Sequence, residues 1–307
     1  MNTRFVVTIG VCIKNVENTV KYAIDSLLEQ DFENSDMEII VVEGDSEDKT
    51  LSIVKERLLN SKICCKIFRE KSGLGAARQI VVDNAQGKYI IWVDGDMILP
   101  TNYVFSQVQF MEANPPVGIA GGKYDVHLGQ GLAADLENIV YVVDSKYGEK
   151  GASKFGYLPG TEGAIYRVDA IRTIGGFDTK MKGAAEDTEV AYRMKANGWK
   201  LAVNKTTFTE STRQSWVSLW KQYEWYGRGG HFIYHKDRSM ITLWKMTPLA
   251  GFLAGLIRLP GAYEVTGQKR FFLLPIHYTF KRVGWYVGFL KGHFEGYGHF
   301  AKLKRVV

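Results

Sequence analysis

The feature that most constrains this chain of 307 residues is the regular alternation of its first two hundred positions. Apolar β-type runs occur at Phe5 to Ile13, Glu38 to Val42, Cys64 to Phe68, Tyr89 to Val93 and Val117 to Ala120. Helix-period segments lie between several of them: Val20, Ala23, Ile24, Leu27 and Leu28 share one face, as do Leu51, Val54 and Leu58. Strand, helix, strand in sequence predicts βαβ units, hence an α/β fold with a mostly parallel sheet flanked by helices. Such sheets bind ligands beyond the carboxyl ends of their strands, so the polar residues just after each run are where chemistry is expected.

Composition narrows the class. With 46% hydrophobic and 23% charged residues the chain is expected to fold. Arg4 leads directly into Phe5, Val6, Val7, Thr8 and Ile9, without the basic leader, long apolar core and cleavage site of a secretory signal, so the chain is expected to stay in the cytosol. Cys12, Cys64 and Cys65 are odd in number and lack CxxC spacing, which argues against a disulfide framework or a zinc site and for small buried hydrophobes. The net charge of +6 is unevenly spread. Through Thr212 there are 24 Lys and Arg against 29 Asp and Glu; from Arg213 onward there are 15 against 4. A basic, aromatic-rich tail on a mildly acidic body predicts an anionic partner, a membrane surface or a nucleic acid.

The tail carries Trp216, Trp220, Tyr223, Trp225 and Tyr226, then two mixed apolar stretches, Met240 to Pro260 and Phe271 to Leu290. The charge-free run Met246 to Ile257 has 12 residues, whereas a spanning helix needs about 20. Pro248, Pro260 and Pro275 segment the region, and Lys245, Arg258, Lys269, Arg270, Lys281 and Arg282 are spaced to meet lipid phosphates. Amphipathic helices lying in the membrane interface are expected rather than spans. The expected organisation is an α/β body at 1–235 and a basic, helical membrane-interface region at 236–307.

Four segments carry candidate chemistry. Asp94-Gly95-Asp96 directly follows the run ending at Val93; two carboxylates at a buried strand end can hold a hard divalent cation that also binds substrate phosphates, although Asp-Gly also marks ordinary turns. Glu43-Gly44-Asp45-Ser46-Glu47-Asp48 follows another strand and can offer acceptors to a nucleobase and ribose, or simply cap a helix. Gly73-Leu74-Gly75-Ala76-Ala77-Arg78 makes a tight turn into a helix whose Arg78 can face phosphate or base. Glu186 and Asp187 open a helical run, either as helix-dipole partners or with one of them as a general base. No Walker sequence is present, so ATP chemistry is not expected.

In this order the segments resemble the inverting family-two glycosyltransferases of the GT-A fold over roughly residues 5 to 235. Lys14-Asn15-Val16-Glu17 is similar to the family's Asn-Glu turn, and Val41 to Thr50 resembles its nucleotide segment, with Glu43 and Gly44 in place of paired aspartates. Gly75 to Gln79 matches the segment of the nucleotide-contacting arginine, and Asp94-Gly95-Asp96 matches the metal motif. Gly160 with Tyr166 and Arg167, then Gly175-Gly176-Phe177-Asp178 and Glu186-Asp187, matches the acceptor-side block. Gln222-Tyr223-Glu224-Trp225-Tyr226-Gly227-Arg228-Gly229 looks like the motif of exopolysaccharide transferases of the succinoglycan type, and departs from processive synthases in having Trp225 at their arginine position.

The resemblance implies Asp187 as catalytic base with Glu186 beside it; Asn15, Glu17, Glu43, Asp45, Arg78 and Asp94 at the nucleotide; and Mn2+ or Mg2+ held by Asp94 and Asp96. His231 is a weaker metal candidate, and Gly160, Thr161, Trp225 and Arg228 are candidates for diphosphate or acceptor contact. The expected activity is sugar transfer from a nucleotide-diphosphate sugar to a hydroxyl or phosphate, the acceptor lipid-linked (a polyprenyl phosphate or pyrophosphate-linked glycan), at the cytoplasmic membrane face. The enzyme would be peripheral or monotopic there, with oligomerisation open. Two rivals remain: a soluble transferase acting on a protein or small molecule with the tail as dimer interface, and a nucleic-acid-binding module. The tail's continuous apolar stretches argue against the second, so no nucleic acid is expected.

Overall fold

The computed structural model describes residues 4–147, 159–211 and 214–301. In chain order the elements are β1 (Phe5–Ile13), α1 (Val20–Leu28), β2 (Met37–Glu43), α2 (Thr50–Leu58), β3 (Cys64–Arg69), α3 (Leu74–Asn84), β4 (Gly87–Val93), β5 (Met97–Ile98) and α4 (Tyr103–Ala113). They continue with β6 (Val117–Tyr124), α5 (Leu132–Tyr147), β7 (Ile165–Arg167), α6 (Val168–Thr173), α7 (Glu186–Ala196), β8 (Lys200–Glu210), α8 (Trp216–Lys236), α9 (Pro248–Thr266) and α10 (Leu274–Phe294). The chain divides into two compact units that interleave in sequence: 1–125, 158–182 and 186–211 form the first, and 126–157, 183–185 and 212–307 the second.

The first unit is an eight-stranded sheet in the order β3-β2-β1-β4-β7-β6-β8-β5. Its β3-β2-β1-β4 half is parallel, as the alternating pattern predicts. β7 is antiparallel to both β4 and β6, β8 runs parallel to β6, and β5 is antiparallel to β8, so the whole sheet is mixed. All seven residues of β2 are buried, the signature of a strand covered on both faces. Successive side chains therefore feed two cores. Ile39 and Val41 join Val7, Ile9, Ile24 and Leu27 on one face, while Ile40 and Val42 join Val81, Ile90, Trp92 and Ile171 on the other. The parallel registers bring the carboxyl ends of β1, β2, β3 and β4 to one edge, with Ile13 beside Glu43, Glu43 beside Arg69, and Val11 beside Val93.

The second unit is helical. Ser215 caps α8 by accepting from the Ser218 N–H, and Thr247 caps α9 by accepting from the Ala250 N–H with Pro248 in the first turn, the residue types that suit helix starts. Gly267 closes α9 in the left-handed conformation, φ 65°. A side chain at Gly227 would strike the Trp285 carbonyl and one at Gly288 the Glu224 carbonyl. These glycines thus let the backbones of α8 and α10 approach each other closely. Leu136 and Ile139 of α5 pack with Ala262, Phe271 and Leu274, so this unit takes in α5 and α8 as well as the residues after 235. Among the described residues no helix is long and apolar enough to cross a membrane. An exposed stripe of Leu249, Phe252, Leu253, Leu256 and Ile257 runs along α9, at the i, i+3, i+4, i+7, i+8 spacing of one helical face.

Candidate active site

The turns after β1 and β2 are knitted together by side chains. Asn15 Oδ1 accepts from the Glu47 N–H at 2.9 Å, Glu17 Oε2 from the Lys49 N–H at 3.0 Å, and Asp48 Oδ2 from the Glu17 N–H at 3.1 Å. Asn15 and Asp45 sit at φ 52° and 62°, a region where Asn and Asp are several-fold enriched over other side chains. Glu43 is fully buried and accepts from the Ser46 N–H at 2.5 Å. Burial pushes its carboxyl up, but the hydrogen bonds from Ser46 and Arg69 outweigh this and leave it lowered. Asn15, Glu17 and Glu43 therefore build a fixed rim beside the strand ends, and Asp45, itself exposed, is 3.6 Å from Arg69.

Asp94 and Asp96 follow β4, with Gly95 between them packed so closely that a Cβ would lie 2.8 Å from Val16 Cγ2. Two carboxylates that the sequence reading did not single out join them. β5 pairs with β8 so that Met97 faces Glu210, and the Ser211 N–H donates to the Asp96 carbonyl at 3.2 Å. Glu210 is consequently raised well above the ordinary carboxyl range, by burial first and then by Asp94, Asp96 and Glu162. Glu162, in the turn before β7, is raised to about 7 by burial, Asp187 and Asp94. Glu210 Oε2 and Thr161 Oγ1 are buried without a hydrogen-bond partner. Mutually repelling carboxylates with an orphaned buried oxygen are the donor set of a hard, oxygen-seeking divalent cation, and these residues fit Mn2+ or Mg2+.

Arg78 of α3, 5% exposed, reaches into the same region. It pairs with Glu186, lies 3.7 Å from Asp94, and packs over the rings of Trp92 and Phe177. Gly73, at φ 131°, starts α3 in a conformation that only glycine adopts readily, which turns Arg78 inward. Glu186 is itself buried and tied to Arg78, whereas Asp187 is half-buried at the start of α7, its Oδ1 accepting from the Thr188 N–H at 2.6 Å. A Cβ on Gly160 would collide with Glu162 and come within 2.8 Å of Asp187 Oδ2; the missing side chain is what lets those two carboxyls share the space. Burial pushes the Cys12 thiol up to about 12, so it is an inert neighbour of the site.

The remaining candidates belong to the second unit. A Cβ on Gly183 would fall 2.6 Å from Trp225 Nε1, which sets that indole against the segment directly preceding Glu186. Arg228 pairs with Glu295, and His231 is buried, with its Nδ1 2.6 Å from the Tyr297 carbonyl. The structure thus brings Arg78, Asp94, Asp96, Gly160, Thr161, Glu186 and Asp187 together with Glu162 and Glu210. Asn15, Glu17, Glu43 and Asp45 stand at adjacent strand ends, and Arg228 and His231 are engaged within the helical unit. Glu210 stands at the carboxyl end of a strand, the one signal that could have marked it.

Succinoglycan biosynthesis protein ExoA of Rhizobium meliloti is 25% identical over 69% of this chain and 65% of its own length. An Escherichia coli relative, UDP-Glc:alpha-D-GlcNAc-diphosphoundecaprenol beta-1,3-glucosyltransferase WfaP, is 30% identical over 34% of the chain and 41% of its own length. Glycosyltransferase GlyA of Streptococcus pneumoniae is 35% identical over 32% of the chain and 14% of its own. Each alignment spans less than two thirds of the relative concerned. Among solved structures, mannosyltransferase PcManGT from Pyrobaculum calidifontis, in complex with GDP-Man and Mn2+, superposes with a TM-score of 0.65 at 17% identity, covering 96% of this chain and 88% of that one. That likeness concerns the fold, which is GT-A. Residues 8–174, more than half of the chain, match the Glycosyl transferase family 2 domain. The protein belongs to glycosyl transferase family 2.

Proposed function

We propose that this transferase moves a sugar from a nucleotide-diphosphate sugar, with inversion, to a hydroxyl or phosphate of a lipid-linked acceptor at the cytoplasmic membrane face. The observation that carries the reading is the convergence of Asp94, Asp96 and Glu210 beside the Glu162–Asp187 pair at one edge of the sheet. A Mn2+ or Mg2+ ion on Asp94 and Asp96 would neutralise the departing nucleoside diphosphate. Asp187 is the base: it takes the proton of the acceptor hydroxyl as that oxygen attacks the anomeric carbon. Glu186 is unsuited to that task because Arg78, which lies 3.7 Å from Asp94, already claims it. Glu162, raised to about 7, can share the abstracted proton with Asp187. Asn15, Glu17, Glu43 and Asp45 form the rim at which the nucleoside is bound.

The lipid-linked acceptor is supported by the exposed α9 stripe and by a relative whose name specifies a diphosphoundecaprenol acceptor. The test is a panel of nucleotide sugars scored for metal-dependent hydrolysis and transfer, run beside Asp96→Ala. Turnover of at least one donor with Mn2+ or Mg2+, lost in Asp96→Ala, is expected; metal-stimulated activity retained in that variant refutes the cation assignment.

A further inference from the structure

The helical unit holds a side-chain cluster that the proposed transfer step does not draw on. His231 and His235 are four residues apart on α8 and share a face, His293 lies in the last turn of α10, and His299 sits in the turn beyond it. One ligand nitrogen from each lies within 4.8 Å of the other three. His293 Nδ1 and His299 Nε2 are 3.4 Å apart, about the nitrogen–nitrogen edge of a tetrahedron whose metal–nitrogen bonds are about 2.0–2.1 Å.

His231 supplies an independent indication. It is fully buried, and its Nδ1 lies 2.6 Å from the Tyr297 carbonyl. A carbonyl only accepts, so the proton is on Nδ1 and the lone pair on Nε2. That Nε2 is buried without a partner, a cost the fold would not ordinarily carry. Histidines that bind metals typically donate their other N–H to such a carbonyl, which fixes the tautomer and aims the ring. The turn bearing His299 is built to stay in place: Gly296 and Gly298 have φ of 69° and 90°, and a Cβ on Gly298 would lie 2.6 Å from Phe232 Cα.

We propose that His231, His235, His293 and His299 form a tetrahedral site for a borderline first-row cation, Zn2+ above all, which clips α8 to the end of α10 and the turn after it. Four imidazoles suit Zn2+, Co2+, Ni2+ or Cu2+, whereas Mg2+ prefers oxygen donors. The four histidines belong to the helical unit, whereas the carboxylates belong to the sheet unit.

The test uses the full chain carrying Asp96→Ala, so that the carboxylate site is disabled, dialysed against a chelator and titrated with Zn2+ or Co2+ alone. One equivalent is expected to bind, with the intense visible absorption of tetrahedral Co2+ and a raised thermal midpoint. His235→Gln and His299→Gln, at half-exposed positions that should not disturb folding, are expected to weaken binding by at least about tenfold, as lost metal-site contacts do. His231→Gln should abolish the tetrahedral spectrum. Binding of less than one equivalent, a weak octahedral spectrum, or unchanged affinity in both half-exposed variants overturns the proposal.

Discussion

Asp187 and Glu186 are sequence neighbours with different surroundings, and the roles proposed for them rest on that difference. Arg78 holds Glu186 in a buried pair, while Asp187 keeps Oδ2 toward the space left by Gly160. Asp187→Asn preserves shape and the neighbouring contacts but cannot take a proton. We expect kcat to fall by roughly 10² or more with donor affinity little changed, measured by steady-state kinetics beside equilibrium binding of the donor. A collapse of donor affinity would make Asp187 a binding residue instead. That Arg78, Asp94, Asp96 and Asp187 belong to one region was legible through the order of their short motifs, which resembles that of the family-two glycosyltransferases. Glu162 and Glu210 were not, because their places depend on the short β7 and on the register of β5 against β8, which no local pattern encodes.

At the scale of elements, β1 to β4 and the start of β6 were legible and β5, β7 and β8 were not, for a physical reason. β1, β2 and β4 are buried on both faces and read as apolar runs; β8, Lys-Leu-Ala-Val-Asn-Lys-Thr-Thr-Phe-Thr-Glu, is only partly covered and reads as polar. In the helical unit, the cations expected to face lipid are partly spent inside. Arg270 pairs with Asp135, and Lys281 lies 2.8 Å from Glu137. Glu137 of α5 also accepts from Tyr223 of α8 at 2.7 Å and from His277 Nε2 of α10 at 2.9 Å, so it joins three helices. Burial pushes its carboxyl up, but Lys281 and His277 outweigh this and hold it well below the ordinary value of 4.5. A depressed carboxyl contributes stability that is full above about pH 4.5 and drains away as the pH falls further. Glu137→Gln should therefore cost about 3 kcal/mol at neutral pH, where it strands Lys281. The gap between variant and parent should narrow below about pH 4.5, as read by denaturant melts across the acid range; a gap that stays constant with pH would show that Glu137 acts by packing alone.

For the whole molecule, the uneven charge and the α9 stripe bear on where the enzyme works. Leu249 and Ile257 are 69% and 74% exposed, more apolar surface on one helical face than a solvated helix ordinarily shows. The full chain is expected to bind anionic liposomes and to leave the membrane fraction with high salt or alkaline carbonate. Leu253→Glu with Ile257→Glu should reduce liposome binding severalfold without affecting hydrolysis of the donor. Release by detergent alone would indicate true spans, and a wholly soluble parent with no liposome binding would shift the balance to a soluble transferase that uses the tail for dimerisation.

The interleaving of the two units has a consequence for how the protein is made. β8, which brings Glu210 to the carboxylate cluster, is the last strand of the sheet to leave the ribosome. Helix α5 emerges long before it, yet its partners Ala262, Phe271 and Leu274 follow more than a hundred residues later. During that interval Leu136 and Ile139 have no core to join. A nascent chain stalled between β8 and α9 would carry a finished catalytic sheet and an unsatisfied apolar helix, the state in which a chaperone or a membrane surface would first have something to grasp.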